Sequence, residues 1–154
     1  MSTADRPALP HTSARDAPET LAVLLREPFR AGTAVLHRRF AERGHPDIRA
    51  PHGNAMQFLD DDGTRVSVLA ERAQMTKQSM AELVGHLERL GYVERVPDPS
   101  DRRAKLVRAT PRGRELYAIA REVVAEVEAE WTRRLGRAKM RRLRLLLEEL
   151  NAAL

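Results

Sequence analysis

A mainly α-helical chain with one small β-hairpin is predicted by three features of the sequence. Apolar residues recur at three- and four-residue steps through most of the 154 residues. Short β-branched segments, Tyr92 to Val96 and Lys105 to Arg108, flank the turn Asp98-Pro99-Ser100-Asp101-Arg102-Arg103. A glycine stop, Gly91, stands between the helical run and the first of those segments. A helix pair followed by a basic hairpin is the order in which a winged helix-turn-helix offers one helix and one charged loop to a DNA duplex.

Each element follows from local chemistry. Residues 1–17 hold Ser, Thr and proline but, after the initiator, only Leu9 as a large aliphatic, so they are expected to form a mobile arm. From Pro18, the residues Leu21, Leu24, Leu25, Val35, Leu36 and Phe40 describe a helix ending at Gly44. Pro28 removes a backbone hydrogen bond, so this element is expected to be interrupted there. A shorter helix lies within Ile48 to Leu59 and is stopped by Asp60-Asp61-Asp62-Gly63. That triple Asp lacks the alternating ligands and distal Glu of a calcium loop and is read as a solvated turn.

Ser67 can cap a helix through Leu69 and Ala73, and Thr76 can cap the next, through Met80, Leu83, Val84, Leu87 and Leu90. Thr110-Pro111 opens another in cap-then-proline order. That helix and the last one, after Gly136, carry seams at Leu116, Ala120, Val123, Val127 and Trp131, then at Met140, Leu143, Leu147, Leu150 and Leu154, which call for a partner helix.

Composition narrows the function classes. With 27 Lys and Arg against 22 Asp and Glu, the formal charge of +5 favours a polyanionic partner. The absence of cysteine excludes disulfides, thiolate metal sites and thiol redox switching. No apolar run approaches the roughly 20 residues of a membrane span, and no signal-peptide core precedes Pro18. The expected location is the cytoplasm, without membrane attachment. No nucleophile–base pairing or phosphate-cradling glycine loop is present, so an enzyme and a cofactor are not expected.

If Met80, Leu83, Val84 and Leu87 face inward, Lys77, Gln78, Ala81, Glu82, Gly85 and His86 face outward. Gln78 can pair with adenine, Lys77 can take a phosphate or guanine edge, and Thr76 and Ser79 sit where a helix N-terminus offers amide donors. Glu82 disfavours phosphate but can accept from cytosine. Past the hairpin turn, Arg102, Arg103, Lys105, Arg108, Arg112 and Arg114 crowd together, and Asp101 is placed to brace the Arg103 guanidinium so that it can enter a minor groove.

The segments Leu69-Ala70-Glu71-Arg72-Ala73, Thr76-Lys77-Gln78-Ser79-Met80, Leu83-Val84, Leu87-Glu88 and Gly91-Tyr92-Val93-Glu94-Arg95, with Asp101, Arg103 and Thr110-Pro111-Arg112-Gly113, resemble the MarR family of bacterial transcriptional regulators. The resemblance covers about residue 18 to the end. It implies a winged helix-turn-helix at about 48–110 and dimerisation helices at about 18–43 and 111–154 within a single domain, 18–154. It further implies a homodimer on a pseudo-palindromic operator of double-stranded DNA, commonly a repressor released by a small-molecule effector. By position, the recognition-helix residues are Thr76, Lys77, Gln78, Ser79 and Glu82, and the wing residues Asp101, Arg102, Arg103 and Lys105. Gln74 stands where the family often has Gly in the turn, a change expected to be tolerable because no special backbone angle is obligatory there.

An effector pocket is expected around His37, Phe40, Met56 and Phe58, although such apolar residues are more often plain core. His37, His45 and His52 with Asp47 are too loosely spaced for a zinc site, and no metal is expected. The competing reading is a helical protein–protein interaction module, using the Leu143 to Leu154 seam and having only non-specific DNA affinity.

Overall fold

The computed structural model describes residues 20–154, so the expected mobile arm of residues 1–17 lies outside the described residues. The described residues fall into two compact units, 20–31 and 32–154. The order of elements is α1 (Leu21–Glu42), α2 (Ala50–Met56), α3 (Val66–Arg72), α4 (Lys77–Arg89), β1 (Val93–Asp98), β2 (Asp101–Ala109), α5 (Pro111–Leu135) and α6 (Arg137–Ala152). This is the mainly α architecture with a hairpin wing that the sequence predicts.

In the first unit, α1 runs through Pro28 without the expected interruption. The proline ring has a φ already suited to a helix, and its cost is about 3 kcal/mol. Good helix formers on its N-terminal side, Leu24, Leu25, Arg26 and Glu27, carry the helix across it.

In the second unit, one apolar core joins Phe40 of α1, Ala55 and Met56 of α2, Leu69 and Ala70 of α3, and Met80, Val84 and Leu87 of α4 with Tyr92, Val93 and Val107 of the wing and Leu116, Ile119 and Val123 of α5. The end of α1 is held beside α5 by Arg39–Glu126 at 2.8 Å and Arg43–Glu122 at 2.6 Å. Tyr117 of α5 donates its hydroxyl to the Met56 carbonyl at 2.5 Å. Burial, then the nearby Asp61 carboxylate, pushes that phenol up to about 12.

The α3–turn–α4 unit shows how caps set its geometry. Thr76 Oγ1 accepts the Ser79 amide at 3.1 Å, the expected N-cap. At the other end, the Tyr92 amide reaches the Leu87 carbonyl at 2.9 Å and the Gly91 amide reaches that of Glu88 at 3.0 Å. This closure needs a left-handed residue, which Gly91 supplies at φ 77°.

α3 ends in the same way, with Met75 N–H to Ala70 O at 2.8 Å and Gln74 N–H to Glu71 O at 3.0 Å. The left-handed position is here filled by Gln74 at φ 52°. The expectation that no special angle is required at Gln74 is therefore overturned: the turn demands one, and a side chain bears the strain. Nor does Ser67 cap α3. The cap position is Arg65, without a side-chain cap, because the helix begins two residues earlier than a Ser67 cap would allow, at Val66, and the Arg65 side chain is engaged elsewhere.

The strands pair antiparallel from Val93↔Ala109 to Asp98↔Asp101, leaving Pro99-Ser100 as the turn. They are longer than the sequence suggested. Thr64 adds a bridge to Val107, with Thr64 N–H to Val107 O at 2.8 Å and the reverse bond at 2.9 Å, so the wing root is stitched to the segment before α3. α5 starts under the wing, capped by Thr110, whose Oγ1 accepts the Gly113 amide at 3.1 Å. A Cβ at Gly113 would lie 2.1 Å from the Tyr92 carbonyl oxygen, so only glycine lets α5 approach the wing this closely. α6 follows Gly136 and is tied to α5 by Arg144–Glu128 at 2.8 Å, yet none of its residues is buried.

Candidate nucleic-acid interface

Met80, Val84 and Leu87 are fully buried, which turns the opposite side of α4 to solvent. Lys77, Gln78 and Glu82 are exposed there, and Ala81 and Gly85 are half-buried beside them. Thr76 and Ser79 are coupled at the helix start, because the Thr76 hydroxyl also donates to Ser79 Oγ at 2.9 Å. Gln78 Nε2 donates to Glu82 Oε1 at 3.4 Å, aligning the two side chains one turn apart.

His86 departs from the outward face on which the sequence placed it. Its ring turns to α2, with His52 Nε2 2.8 Å from His86 Nδ1. His52 Nδ1 already accepts the Arg49 amide at 3.1 Å, so the His52 proton sits on Nε2 and is donated to His86. Burial, then His86, Arg49 and His37, lowers the His52 pKa, which matches an arrangement that only neutral rings satisfy.

The wing is anchored at Asp98 of the turn, through a partner, Arg65, that the sequence did not single out. The Asp98 carboxylate, 6 % exposed, accepts from Ser100 Oγ at 2.7 Å, the Ser100 amide at 2.8 Å and Arg65 at 2.6 and 2.7 Å. Hydrogen bonds from Ser100, then from Arg65, hold this carboxyl down to about 2. The Asp98-Pro-Ser order is a visible turn signal. Its partner Arg65, 33 residues upstream, left no local trace.

Asp101 does not brace the Arg103 guanidinium as expected. Its Oδ1 accepts the Arg103 backbone amide at 3.0 Å and its Oδ2 lies 3.8 Å from Arg65, since a short side chain at the head of β2 reaches its own backbone two residues on. Arg103 and Lys105 are exposed and have no ion-pair partner among the described residues. The Arg102 backbone belongs to β2. The remaining cations of the run are occupied or turned away. Arg108 pairs with Glu94 at 2.8 Å, Arg112 lies 4.7 Å over the Tyr92 ring and donates to its hydroxyl, and Arg114 faces a concavity on α5.

Of the expected pocket residues, Phe40 and Met56 are in the core and Phe58 is half-buried against it. His37 meets Phe40 edge-on, ring centroids 6.0 Å apart, and both its ring nitrogens are buried without a hydrogen-bond partner. A separate concavity of about 410 Å³ is lined by Leu59, Asp61, Ala109, Arg114, Tyr117 and Arg121, among others. The histidines weighed as metal ligands go to different partners: His45 lies 3.2 Å from the Tyr92 hydroxyl and 3.3 Å from Glu115, and His52 is bound to His86. Among the described residues no three ligating side chains converge on a metal position. No helix among them is long and apolar enough to cross a membrane.

A family model described as MarR family matches residues 47–104, from α2 through the wing turn. Transcriptional regulator HosA of Escherichia coli O111:H- is 33 % identical over 92 residues, covering 59 % of this chain and 68 % of HosA. Among solved structures, the MepR–DNA complex of S. aureus superposes with a TM-score of 0.69 at 20 % identity over 89 % of this chain and all of that one. Transcriptional regulator Tm0710 of Thermotoga maritima does so with 0.58 at 26 % identity, over 84 % and 90 %. HosA and Tm0710 are named transcriptional regulators, not enzymes, and the fold shared with the solved structures is the winged helix built above from caps, core and wing. The chain belongs to the MarR family of transcriptional regulators.

Proposed function

We infer that the protein is a cytoplasmic, homodimeric, sequence-specific DNA-binding repressor, released from a pseudo-palindromic operator by a small molecule. The observation that carries this reading is the pairing of an exposed polar stripe on α4 with a wing whose Arg103 and Lys105 have no ion-pair partner among the described residues and whose root is pinned by Arg65 and Asp98. A stiff hairpin with uncommitted cations suits minor-groove insertion, and α4 suits the major groove. Thr76, Lys77, Gln78, Ser79 and Glu82 would meet base edges and phosphates, and Asp101, Arg102, Arg103 and Lys105 would form the wing contact. MepR, which shares this fold, has been solved with DNA.

The dimer reading draws on apolar surface that a single chain leaves open. Leu143, Leu145, Leu146 and Leu150 of α6 are 38–52 % exposed, and in the first unit Leu21, Leu24, Leu25 and Phe29 are exposed as well. Helices at about 18–43 and 111–154 would bury them across a two-fold axis. For the effector, an open place is the concavity where Arg114 and Arg121 offer cations to an anionic molecule next to the Tyr117 ring, whereas the ring nitrogens of His37 are buried and Phe40 and Met56 belong to the core.

The test is fluorescence anisotropy on the duplex upstream of the gene against a scrambled duplex at two salt concentrations. Tight, sequence-dependent binding that weakens steeply with salt is expected. Arg103→Ala is expected to weaken it by about tenfold or more while leaving the dimer folded; unchanged binding would remove the wing from the interface. Equal, weak binding to both duplexes, repeated on a randomised duplex pool, would favour a helical interaction module built on the α6 leucines.

A further inference from the structure

Between residues 77 and 109 the chain carries five carboxylates, and four of them are matched with cations. Glu88 pairs with Arg95 at 3.1 Å and Glu94 with Arg108 at 2.8 Å, while Asp98 and Asp101 lie 2.6 and 3.8 Å from Arg65. Glu82 is the exception among the described residues. It is exposed at the centre of the α4 stripe, and its hydrogen bond comes from the neutral Gln78 amide. A carboxylate left without a cation on the face that is to meet a polyanion weakens binding, unless a base edge compensates for it.

We propose that Glu82, aligned by Gln78, is the residue that selects a cytosine in each operator half-site by accepting a hydrogen bond from its exocyclic amino group. This rests on the reading of α4 as the element that enters the major groove. An ionised carboxylate has acceptors only. In the major groove guanine shows N7 and O6, thymine shows O4, and adenine shows N7 beside its amino group, so each sets an acceptor against Glu82. Cytosine alone presents a donor and no acceptor. Half-buried Ala81 and Gly85 flank Glu82 with little side-chain bulk, which lets the helix backbone come close enough for so short a reach. Gln78, having given one N–H to Glu82, keeps its carbonyl oxygen and a second N–H for the neighbouring base. Lys77 and the wing cations supply the phosphate neutralisation that offsets the repulsion from Glu82.

The experiment is selection from a randomised duplex pool, with sequencing of the bound fraction, on the full-length protein and on Glu82→Gln and Glu82→Ala. The changed position is solvent-facing, and thermal melts check that each variant keeps the fold. The wild type is expected to fix one cytosine per half-site by about tenfold over other bases. Glu82→Ala is expected to lose that preference alone, and Glu82→Gln to move it toward adenine, which an amide pairs with bidentately. Both variants should bind unrelated duplex more tightly than the wild type. An unchanged base profile in both variants, with selection elsewhere intact, overturns the role of Glu82 and leaves the regulator reading standing. A wild type that enriches no sequence overturns both.

Discussion

α4 and α6 are written in the same apolar rhythm and end in opposite circumstances. In α4, Met80, Val84 and Leu87 are fully buried, closed over by α2, α3, the wing and α5. In α6, Met140, Leu143, Leu147 and Leu150 recur just as regularly, yet no residue of the helix is buried and Leu143 is 42 % exposed. Periodicity encodes a helix and an apolar stripe. It does not encode what covers the stripe. For α4 the cover is the chain itself; for α6 the leucines are of the kind that a second copy would bury.

The largest effect that tests this contrast is the loss of the cover. Leu143→Glu with Leu150→Glu is expected to give a monomer in sedimentation analysis and to lower operator affinity by roughly 100-fold or more, because two half-sites would no longer be held by one particle. A dimer that persists would place the interface elsewhere. Next is the direct comparison of equal truncations. Leu87→Ala is expected to cost about 2–5 kcal/mol in urea unfolding. In the monomeric double variant, Leu146→Ala is expected to stay within about 0.5 kcal/mol, as an exposed site does. Similar costs at the two positions would erase the distinction.

A third test separates the polar fastenings of the lobe by pH. The His52 pKa is depressed by burial and by His86, so the unfolded chain takes up the proton more readily than the folded one. Stability is therefore complete above the ordinary histidine value of about 6.5 and falls as the pH drops through and below it. Replacing His52 with Gln is expected to flatten that slope in unfolding titrations. Asp98, held down to about 2, acts in a lower window. Its contribution is present above the usual carboxylate value near 4 and is lost as the pH falls toward 2. Slopes in both windows are expected, and a flat profile across pH 5.5–7.5 would mean that His52 is not the buried neutral ring described.

The smallest effect is at the α3–α4 turn. Gln74→Gly is expected to raise stability by about 1 kcal/mol, since glycine holds φ near 52° without the steric cost paid by a side chain. A loss of stability there would show that the Gln74 side chain contributes more than its backbone angle costs.

Much of the architecture was legible because it is local. Thr76 and Thr110 as caps, Gly91 as a left-handed stop and the turn at Pro99-Ser100 are written within four residues of where they act. The solvent stripe of α4 followed from helical geometry, apart from His86, whose partner His52 lies 34 residues away. Asp101 was recognised as a brace but assigned the wrong target, because a residue spacing cannot tell a backbone amide from a guanidinium. Pro28 misled for the opposite reason, a local penalty overruled by its neighbours.

The sequence by itself determined the elements, their order, the apolar stripe of each helix and the basic character of the hairpin, because caps, turns and periodicity act through bonds only a few residues long. Only the tertiary structure decided which cations remain uncommitted. Arg65 reaches across to Asp98, Arg108 folds onto Glu94 and Arg112 lies over Tyr92, while Arg103 and Lys105 project without a partner among the described residues. Charge pairing acts through space between residues distant in sequence, and nothing in a one-dimensional pattern specifies those distances.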